Sequence, residues 1–322
     1  MPTFVRLLVK RNMINRTIIR LKVVQLLYAY CQSGCKDVVR GKRELTASLD
    51  KARELYCCLL MLIVWVTRYA RETISKKEQL NRVLHREEPV SHRFADNRLA
   101  ALLEANEELS ALRQKGVGEW LNDNVYLPQL YTDIQASPAY TDYMAKETTT
   151  FADDRDLWKK LYKNLIMNDE RLDDLIEEQS LYWNDDKSVI DTFVLKTIKQ
   201  LNDGEQAAQQ PLLPPYKDEG DLQYATDLFR QAIEQDERWE TLIKESVQGW
   251  DFNRLALMDT LIMKAALAEM VSFPLIPVEV TINEYVEIAK YYSTPRSAGY
   301  VNGILDHLAR RLDEEGTIHK GF

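Results

Sequence analysis

Arg16 and Arg20 are the first residues of this chain whose types and spacing suggest a chemical role. Residues four apart share one face of a helix, so the two guanidinium groups can act on one ligand. Guanidinium groups contact phosphate and stack on bases, and Tyr28 offers an aromatic plane further along the same stretch. The pattern suits single-stranded RNA, and a solvated helix face is the alternative interpretation.

The N-terminal part of the chain is basic, although the protein as a whole is acidic. Residues 1–43 hold ten Lys or Arg and one acidic residue, a net charge of +9, whereas the whole chain of 322 residues carries −8. Neutralising phosphates releases condensed counterions, so a basic segment is a candidate for salt-sensitive binding to nucleic acid. From charge alone, a solvated face with a frayed tail remains the alternative.

Residues that carry out catalysis or hold metal ions are sparse. None of the histidines or cysteines has the spacing of a zinc motif, and no nucleophile can be paired with a base. These residues are His85, His92, His307, His319, Cys31, Cys35, Cys57 and Cys58. The cysteines lie on apolar stretches, which is typical of buried free thiols in a reducing compartment. We therefore expect no enzyme activity, no metal site and no cofactor.

Composition and apolar spacing predict an all-α protein. The chain is 45% hydrophobic and 29% charged, with only 11 Gly and 10 Pro, so it can form a sizeable core with few tight turns. The strongest apolar run, residues 55–66, is shorter than the roughly 20 residues that cross a membrane, and it predicts a core helix. Arg6, Lys10 and Arg11 interrupt the N-terminal apolar residues, which argues against a signal or transit peptide. We expect a cytoplasmic protein.

Three apolar patterns near the C-terminus predict further helices. Residues 250–270, 277–292 and 299–312 each carry apolar residues at three- and four-residue steps, which is typical of helices that pack inward. Gly303 lies inside the third pattern, where a glycine costs about 1 kcal/mol relative to alanine. We interpret Gly303 as a point where another helix approaches closely.

The same C-terminal residues resemble the NusB family of transcription antitermination factors. The family signature is Ile-Asn-Glu, then Ala-Lys, then Val-Asn-Gly-x-Leu-Asp, and this chain has all three strings in that order and spacing. The stretch from Arg16, with its Val-Gln-x-Leu-Tyr, is similar to the arginine-bearing first helix of the family. The matching residues are 282–284, 289–290, 301–306 and 24–28.

The resemblance implies a NusB-like helical bundle with an extra helical insertion in the middle of the chain. Residues 13–85 are expected to form the N-terminal helices with a basic first helix. Residues 86–220 are expected to form a helical insertion and a Pro-rich linker, and residues 221–315 the C-terminal bundle. The family includes monomers and dimers, so the resemblance leaves the oligomeric state open.

The resemblance also implies that this protein is an RNA-binding transcription antitermination factor. It would bind boxA-type single-stranded leader RNA together with NusE, the small-subunit ribosomal protein that doubles as an elongation factor. The pair would then act on the RNA polymerase elongation complex in ribosomal RNA transcription. The implied RNA-binding residues are Arg16, Arg20, Lys22, Tyr28, Arg296 and Tyr300.

The arginine run of the first helix is less dense than is usual in the family. Thr17 and Ile18 interrupt it, so either Lys10, Arg11 and Lys22 compensate or the affinity for RNA is weaker.

Two other functions compete with RNA binding. A protein-only helical scaffold would bind partners through the insertion. An accessory domain of an RNA methyltransferase ranks third, because no glycine-rich cofactor loop follows the helical domain.

The insertion is rich in aromatic residues. They either enlarge the core, which is the commoner outcome, or present a surface to another protein. They include Tyr140, Tyr143, Trp158, Tyr162 and Trp183.

Overall fold

The computed structural model describes residues 16–34, 37–180, 182–183, 186–204, 212–213, 219–247, 255–294 and 296–318. Within these ranges the regular elements are all helical and no strand occurs. The prediction of an all-α protein is confirmed. Arg6, Lys10, Arg11 and Cys35 lie outside the described residues.

Fourteen α-helices fall within the described part of the chain. A single 3-10 turn, Glu119–Leu121, and a π-helical turn, Tyr162–Ile166, accompany them. The helices are α1 (Arg16–Ser33), α2 (Val38–Val83), α3 (Arg98–Ala105), α4 (Glu107–Gln114), α5 (Tyr126–Ala136), α6 (Pro138–Met144), α7 (Phe151–Leu161), α8 (Glu170–Gln179), α9 (Lys187–Gln200), α10 (Glu219–Glu234), α11 (Asp236–Ser246), α12 (Leu257–Ser272), α13 (Val278–Tyr292) and α14 (Ser297–Glu314).

Two compact units divide the chain. The first unit comprises Met1–Leu49 and Pro215–Phe322, and the second unit comprises Asp50–Pro214. The 46-residue helix α2 begins in the first unit and ends in the second. The sequence instead grouped residues 13–85 together. Most of α2 belongs to the second unit because its apolar run is buried there, where the hydroxyls of Tyr56 and Thr197 form a hydrogen bond of 2.7 Å.

Helix α12 is the centre of the first unit. It packs against α1, α10, α11, α13 and α14. Residues 259–270 are all buried, as expected for a helix that is apolar on every side. The prediction that this C-terminal helix packs inward is confirmed.

Two glycines show where helices do and do not approach closely. Gly303 is exposed on α14, and a Cβ atom built on it would meet nothing within 4 Å. The interpretation of Gly303 as a close-contact residue is therefore wrong. Gly41 on α2 is such a residue, because an added Cβ would lie 2.5 Å from Cε1 of the buried Phe229 ring.

The aromatic residues of the insertion lie mainly in the core of the second unit. Tyr143, Trp158, Tyr162 and Trp183 are buried, and Tyr140 is half-buried. In residues 55–66 of α2 every side chain except Trp65 is buried, so the predicted core helix is confirmed. None of the described helices combines the length and the apolar character needed to span a membrane.

Candidate functional site

Arg20 fastens α1 to the centre of the first unit. Its Nε and Nη2 atoms each donate a hydrogen bond of 2.8 Å to a separate carboxylate oxygen of Glu269 on α12. Only 3% of Arg20 is exposed, and Glu269 is fully buried. The expectation that Arg20 presents its guanidinium to RNA alongside Arg16 therefore disagrees with the structure, because a buried acid occupies that guanidinium.

Glu269 is the acceptor for three further residues. Thr281 donates to its Oε1 at 2.7 Å, Tyr285 donates to its Oε2 at 3.4 Å, and Tyr224 donates to the same Oε2. A buried carboxylate costs several kcal/mol of desolvation unless donors surround it, and here they come from α1, α10 and α13. We call Glu269 with Arg20, Tyr224, Thr281 and Tyr285 the Glu269 cluster.

The ionisation of the Glu269 cluster follows from its burial. Burial by itself lowers the pKa of Arg20, but the hydrogen bond and the negative charge of Glu269 outweigh it, so the pKa is raised. Burial, reinforced by the charge of Glu269, holds the pKa values of Tyr224 and Tyr285 well above their usual range. Arg20 therefore stays charged and both tyrosines stay neutral over the physiological pH range.

Helices α1 and α13 lie side by side in a fixed register. Thr17 donates a hydrogen bond of 2.6 Å to Glu284, and Gln25 donates one of 3.5 Å to the hydroxyl of Tyr292. Both residue numbers increase by eight between these contacts, so the two helices run in the same direction. Tyr28 consequently lies at the end of α1 that is closest to the end of α13.

Arg16 differs from Arg20 in being partly open to solvent. Its side chain is 37% exposed, and its Nε donates a hydrogen bond of 3.1 Å to the buried Asp221. The guanidinium carbon lies over the Tyr224 ring, 4.7 Å from the ring centroid. Arg16 is thus held in place while part of its surface remains accessible.

Lys22 is the second predicted RNA contact that the structure places inside. Only 2% of it is exposed, and every residue from 18 to 24 on α1 is buried. The sequence pattern predicted one packed and one open face for this helix. Instead α12, α10 and α13 surround its middle; Arg16 and Thr17 at its start are half-buried, and the exposed side chains begin at Tyr28.

The three remaining predicted contacts lie at the ends of α1 and α14. Tyr28 is 39% exposed, Arg296 is exposed, and Tyr300 is half-buried. The pKa of Tyr300 is raised by its burial and by the negative charge of Asp259. Tyr28 and Arg296 are therefore accessible to a ligand, and Tyr300 is accessible in part.

The start of α14 is fixed by a buried hydrogen bond. Ser297 donates to Oδ2 of Asp259 on α12 at 2.7 Å, and its hydroxyl also lies within 3.0 Å of the hydroxyls of Ser293 and Thr294. Serine and threonine side chains stabilise such turns by bonding locally. Arg296 is thus positioned at a defined place on the surface next to the ordered start of α14.

A groove with a volume of about 630 Å³ runs along α12 in the first unit. We call it the α12 groove. Lys264 lies in it and pairs with Asp236 at 2.7 Å and Glu240 at 3.0 Å. Hydrogen bonds from Lys244 and then Lys264 lower the pKa of Glu240, which keeps this acid charged. The lining residues are Leu27, Tyr30, Cys31, Gly34, Val38, Ile233, Asp236, Glu240, Leu255, Leu257, Thr260, Leu261 and Lys264.

Sequence reasoning missed Glu269, Asp221 and Tyr224, which position the arginines of α1. One signal was present for Glu269, because it is one of only two acids in a mainly apolar helix, and such residues are rarely fully buried without a partner. Asp221 and Tyr224 gave no comparable signal, since α10 is amphipathic and carries several other acids.

The family model described as NusB matches residues 192–310. This range contains α10 to α13 and most of α14, together with most of α9 of the second unit. It does not include α1, which the structure nevertheless places against the matched helices α10, α12 and α13.

Several curated relatives carry the name Transcription antitermination protein NusB. The one from Koribacter versatilis is 36% identical over 126 residues, which is 38% of this chain and 86% of the relative. The one from Salinibacter ruber is 31% identical over 132 residues, 39% of this chain and 82% of the relative. No solved structure matches the chain significantly. Since this chain covers most of the length of both relatives at more than 30% identity, it belongs to the NusB family.

Proposed function

We propose that this protein is a transcription antitermination factor that binds boxA-type single-stranded leader RNA together with NusE. The pair acts on RNA polymerase in ribosomal RNA transcription. One observation carries the proposal. Arg16, which is partly exposed, and Tyr28, which is exposed, lie on a helix that packs directly against the helices matched by the NusB family model.

The accessible residues lie towards the two ends of α1, because residues 18–24 between them are buried. Arg16 and Tyr28 are twelve positions apart on α1, which corresponds to ~18 Å at a rise of 1.5 Å per residue. The parallel register of α1 and α13 brings the end of α13 towards the Tyr28 end of α1, and Arg296 follows there. A single strand that reaches from one end of α1 to the other would meet an arginine at the first end and a tyrosine and an arginine at the second.

The roles within the site differ from those suggested by the sequence. We propose that Arg16, Tyr28, Arg296 and Tyr300 contact RNA. Arg20 contributes indirectly, because it holds α1 against α12 through Glu269. Lys22 is buried, so we do not include it among the RNA contacts.

The α12 groove is our candidate surface for NusE. Its floor is apolar, and its edge carries Asp236 and Glu240, whose side chains are 50% and 34% exposed. Both acids pair with Lys264, and Glu240 also pairs with Lys244, so the edge is polar and its charges balance. Apolar side chains of the partner would fill the floor, while its polar residues would face the paired charges at the edge.

Binding titrations test the proposal. Fluorescence anisotropy of labelled boxA-type RNA should be measured with and without NusE at two salt concentrations, with a scrambled RNA as the control. We expect preference for the boxA-type sequence, tighter binding with NusE, and weaker binding at higher salt. Equal affinity for both RNAs and no effect of NusE would favour the protein-only scaffold instead.

A substitution in the α12 groove separates the two partners. Cys31 is exposed and lines the groove, so Cys31→Trp should obstruct it without removing a charge. We expect lower affinity for NusE, unchanged affinity for RNA alone, and no effect of the matched control Cys31→Ser. Unchanged NusE affinity in the Trp variant would exclude the groove as the partner surface.

A further inference from the structure

Arg16 is fixed in one orientation by two neighbours on α10. Its Nε bonds to the fully buried Asp221, and its guanidinium lies over the Tyr224 ring. A long side chain normally loses up to about 2 kcal/mol of rotamer entropy when a ligand immobilises it. Because Arg16 is already immobilised, that cost is largely met before any ligand arrives.

Tyr224 is itself held from several sides. Its hydroxyl donates to Glu269, and its ring meets the Phe273 ring edge to face at 4.9 Å between centroids. The Arg20 guanidinium lies 6.0 Å from the Tyr224 centroid. The ring beneath Arg16 is therefore a rigid support.

Among the described residues, the charges paired with Arg16 and Arg20 do not favour an anion. In the ion-paired group at this end of α1, Arg16 and Arg20 face three carboxylates, those of Asp221, Glu269 and Glu284. The negative charges outnumber the positive ones, so an approaching phosphate gains little and meets Glu284, whose side chain is 29% exposed. An uncharged aromatic ring experiences no such repulsion, and guanidinium planes stack on bases.

We propose that Arg16, backed by Tyr224 and oriented by Asp221, is a stacking platform for one nucleobase of the bound RNA. The inference rests on the proposed function and deepens it. The tyrosine ring lies on one side of the guanidinium, and the opposite side takes the base. Stacking accepts any base, so this position contributes affinity with little sequence preference.

The first test exploits the difference between arginine and lysine. Lysine keeps the positive charge but lacks the planar face, so Arg16→Lys should weaken binding of boxA-type RNA by about tenfold, within the range for one stacked base. The slope of log affinity against log salt should stay unchanged, since no phosphate contact is lost. Arg40→Lys is the matched control, because Arg40 belongs to the same basic segment but forms an exposed pair with Glu44.

Abasic RNA identifies the stacked base directly. In the wild-type protein, removing one base at a particular position of the RNA should lower affinity by about tenfold. The same abasic RNA should bind Arg16→Lys no worse than intact RNA does, which is the signature of a coupled pair in a double-mutant cycle. If removing a base lowered the affinity of the wild type and of Arg16→Lys equally at every RNA position, the platform would be overturned.

Asp221→Asn is a test in which a charge effect and an orientation effect would change RNA affinity in opposite directions. The variant is one unit more positive, so a purely electrostatic interface would bind RNA more tightly. A platform that depends on Asp221 to orient Arg16 binds RNA more weakly, and this is the result we expect.

Melting curves of all variants must first match the wild type closely enough to show folded protein at the assay temperature. If the wild type binds no RNA, the proposed function fails; if it binds but Arg16→Lys and Asp221→Asn bind equally well, only the platform fails.

Discussion

Arg20 and Glu269 are 249 positions apart in sequence, yet they form two parallel hydrogen bonds of 2.8 Å inside the first unit. This pair joins the N-terminal helix to the centre of the C-terminal bundle. Bidentate arginine–carboxylate pairs fix both distance and orientation. The position of α1, and with it that of Arg16 and Tyr28, therefore depends on a residue far from the candidate RNA surface.

Removing the acid should destabilise the protein strongly. Glu269→Ala leaves the charge of Arg20 buried without its main partner, which typically costs about 3–5 kcal/mol. Urea denaturation should show this loss, whereas the control Glu287→Ala, which breaks an exposed pair with Lys290, should change little. The double variant Arg20→Met/Glu269→Leu should recover part of the loss; a double variant as unstable as Glu269→Ala would contradict the explanation.

The two glycines should respond to alanine in opposite directions. Gly303→Ala adds a Cβ in open space on an exposed helical position, so it should stabilise by up to about 1 kcal/mol. Gly41→Ala pushes against the buried Phe229 ring and should destabilise by about 1–3 kcal/mol, partly offset by the better helix propensity of alanine. Thermal melting of the two variants is the measurement, and destabilisation by Gly303→Ala would show that this position is packed after all.

Alkaline pH should weaken the second unit. Burial raises the pKa of Cys57 from 9.0 to about 12, and it also raises the pKa of Cys58. Between pH 9 and 12 the unfolded chain has lost thiol protons that the folded chain keeps, so the free energy of unfolding falls as pH rises. Each such thiol contributes a slope of about 1.4 kcal/mol per pH unit.

Urea denaturation at about pH 8.5 and about pH 10.5 measures this fall in the free energy of unfolding. The variant Cys57→Ala/Cys58→Ala should lose much of the pH dependence, although Tyr56, whose pKa burial raises to about 12, retains some. The control Cys31→Ala removes an exposed thiol that lies in the first unit. An identical alkaline slope in the double variant and the wild type would argue against buried thiols as the cause.

Arg296 and Tyr28 should affect RNA binding in distinguishable ways. Arg296→Ala should weaken affinity and reduce the magnitude of the log–log salt slope by about 0.7, the value for one phosphate contact on a single strand. Tyr28→Ala should weaken affinity with the slope preserved, because it removes a stacking plane and no charge. The control Arg310→Ala removes an exposed arginine of α14 that pairs with Asp306 and should change neither quantity.

Replacing residues 87–218 by a short linker should prevent stable folding. The apolar residues 55–66 of α2 would become exposed to solvent, since contacts such as that of Tyr56 with Thr197 come from the deleted part. Far-UV circular dichroism and gel filtration should show aggregation or lost cooperativity. A soluble monomer or dimer with a cooperative melt would mean that α2 finds another packing partner.

Local periodicity predicted the helices because a helix depends mainly on residues three and four positions apart. It could not show which face of α1 is buried, since the partner of Arg20 lies at Glu269, beyond the reach of any local pattern. Lys22 was included among the RNA contacts that the family resemblance implies, although it is buried in the structure.

The boundary between the two units was also beyond local reasoning. A 46-residue helix has no internal signal for where one set of neighbours ends and the next begins. Gly303 was misinterpreted for a related reason. A glycine in a helix is required for space only when another chain segment leaves no room for a Cβ atom, and the sequence does not show where this happens. Only the three-dimensional arrangement identifies Gly41 as the residue under that constraint.

The long separation of Arg20 and Glu269 has a consequence during synthesis. At about 5–20 residues per second, the ribosome needs ~12–50 s to add the residues between them. Throughout this interval the first unit lacks its central helix, while the second unit, which is contiguous in sequence, can already form. The nascent chain should therefore acquire structure from its middle outwards, and the basic N-terminal segment should remain available to anions until the last helices leave the ribosome.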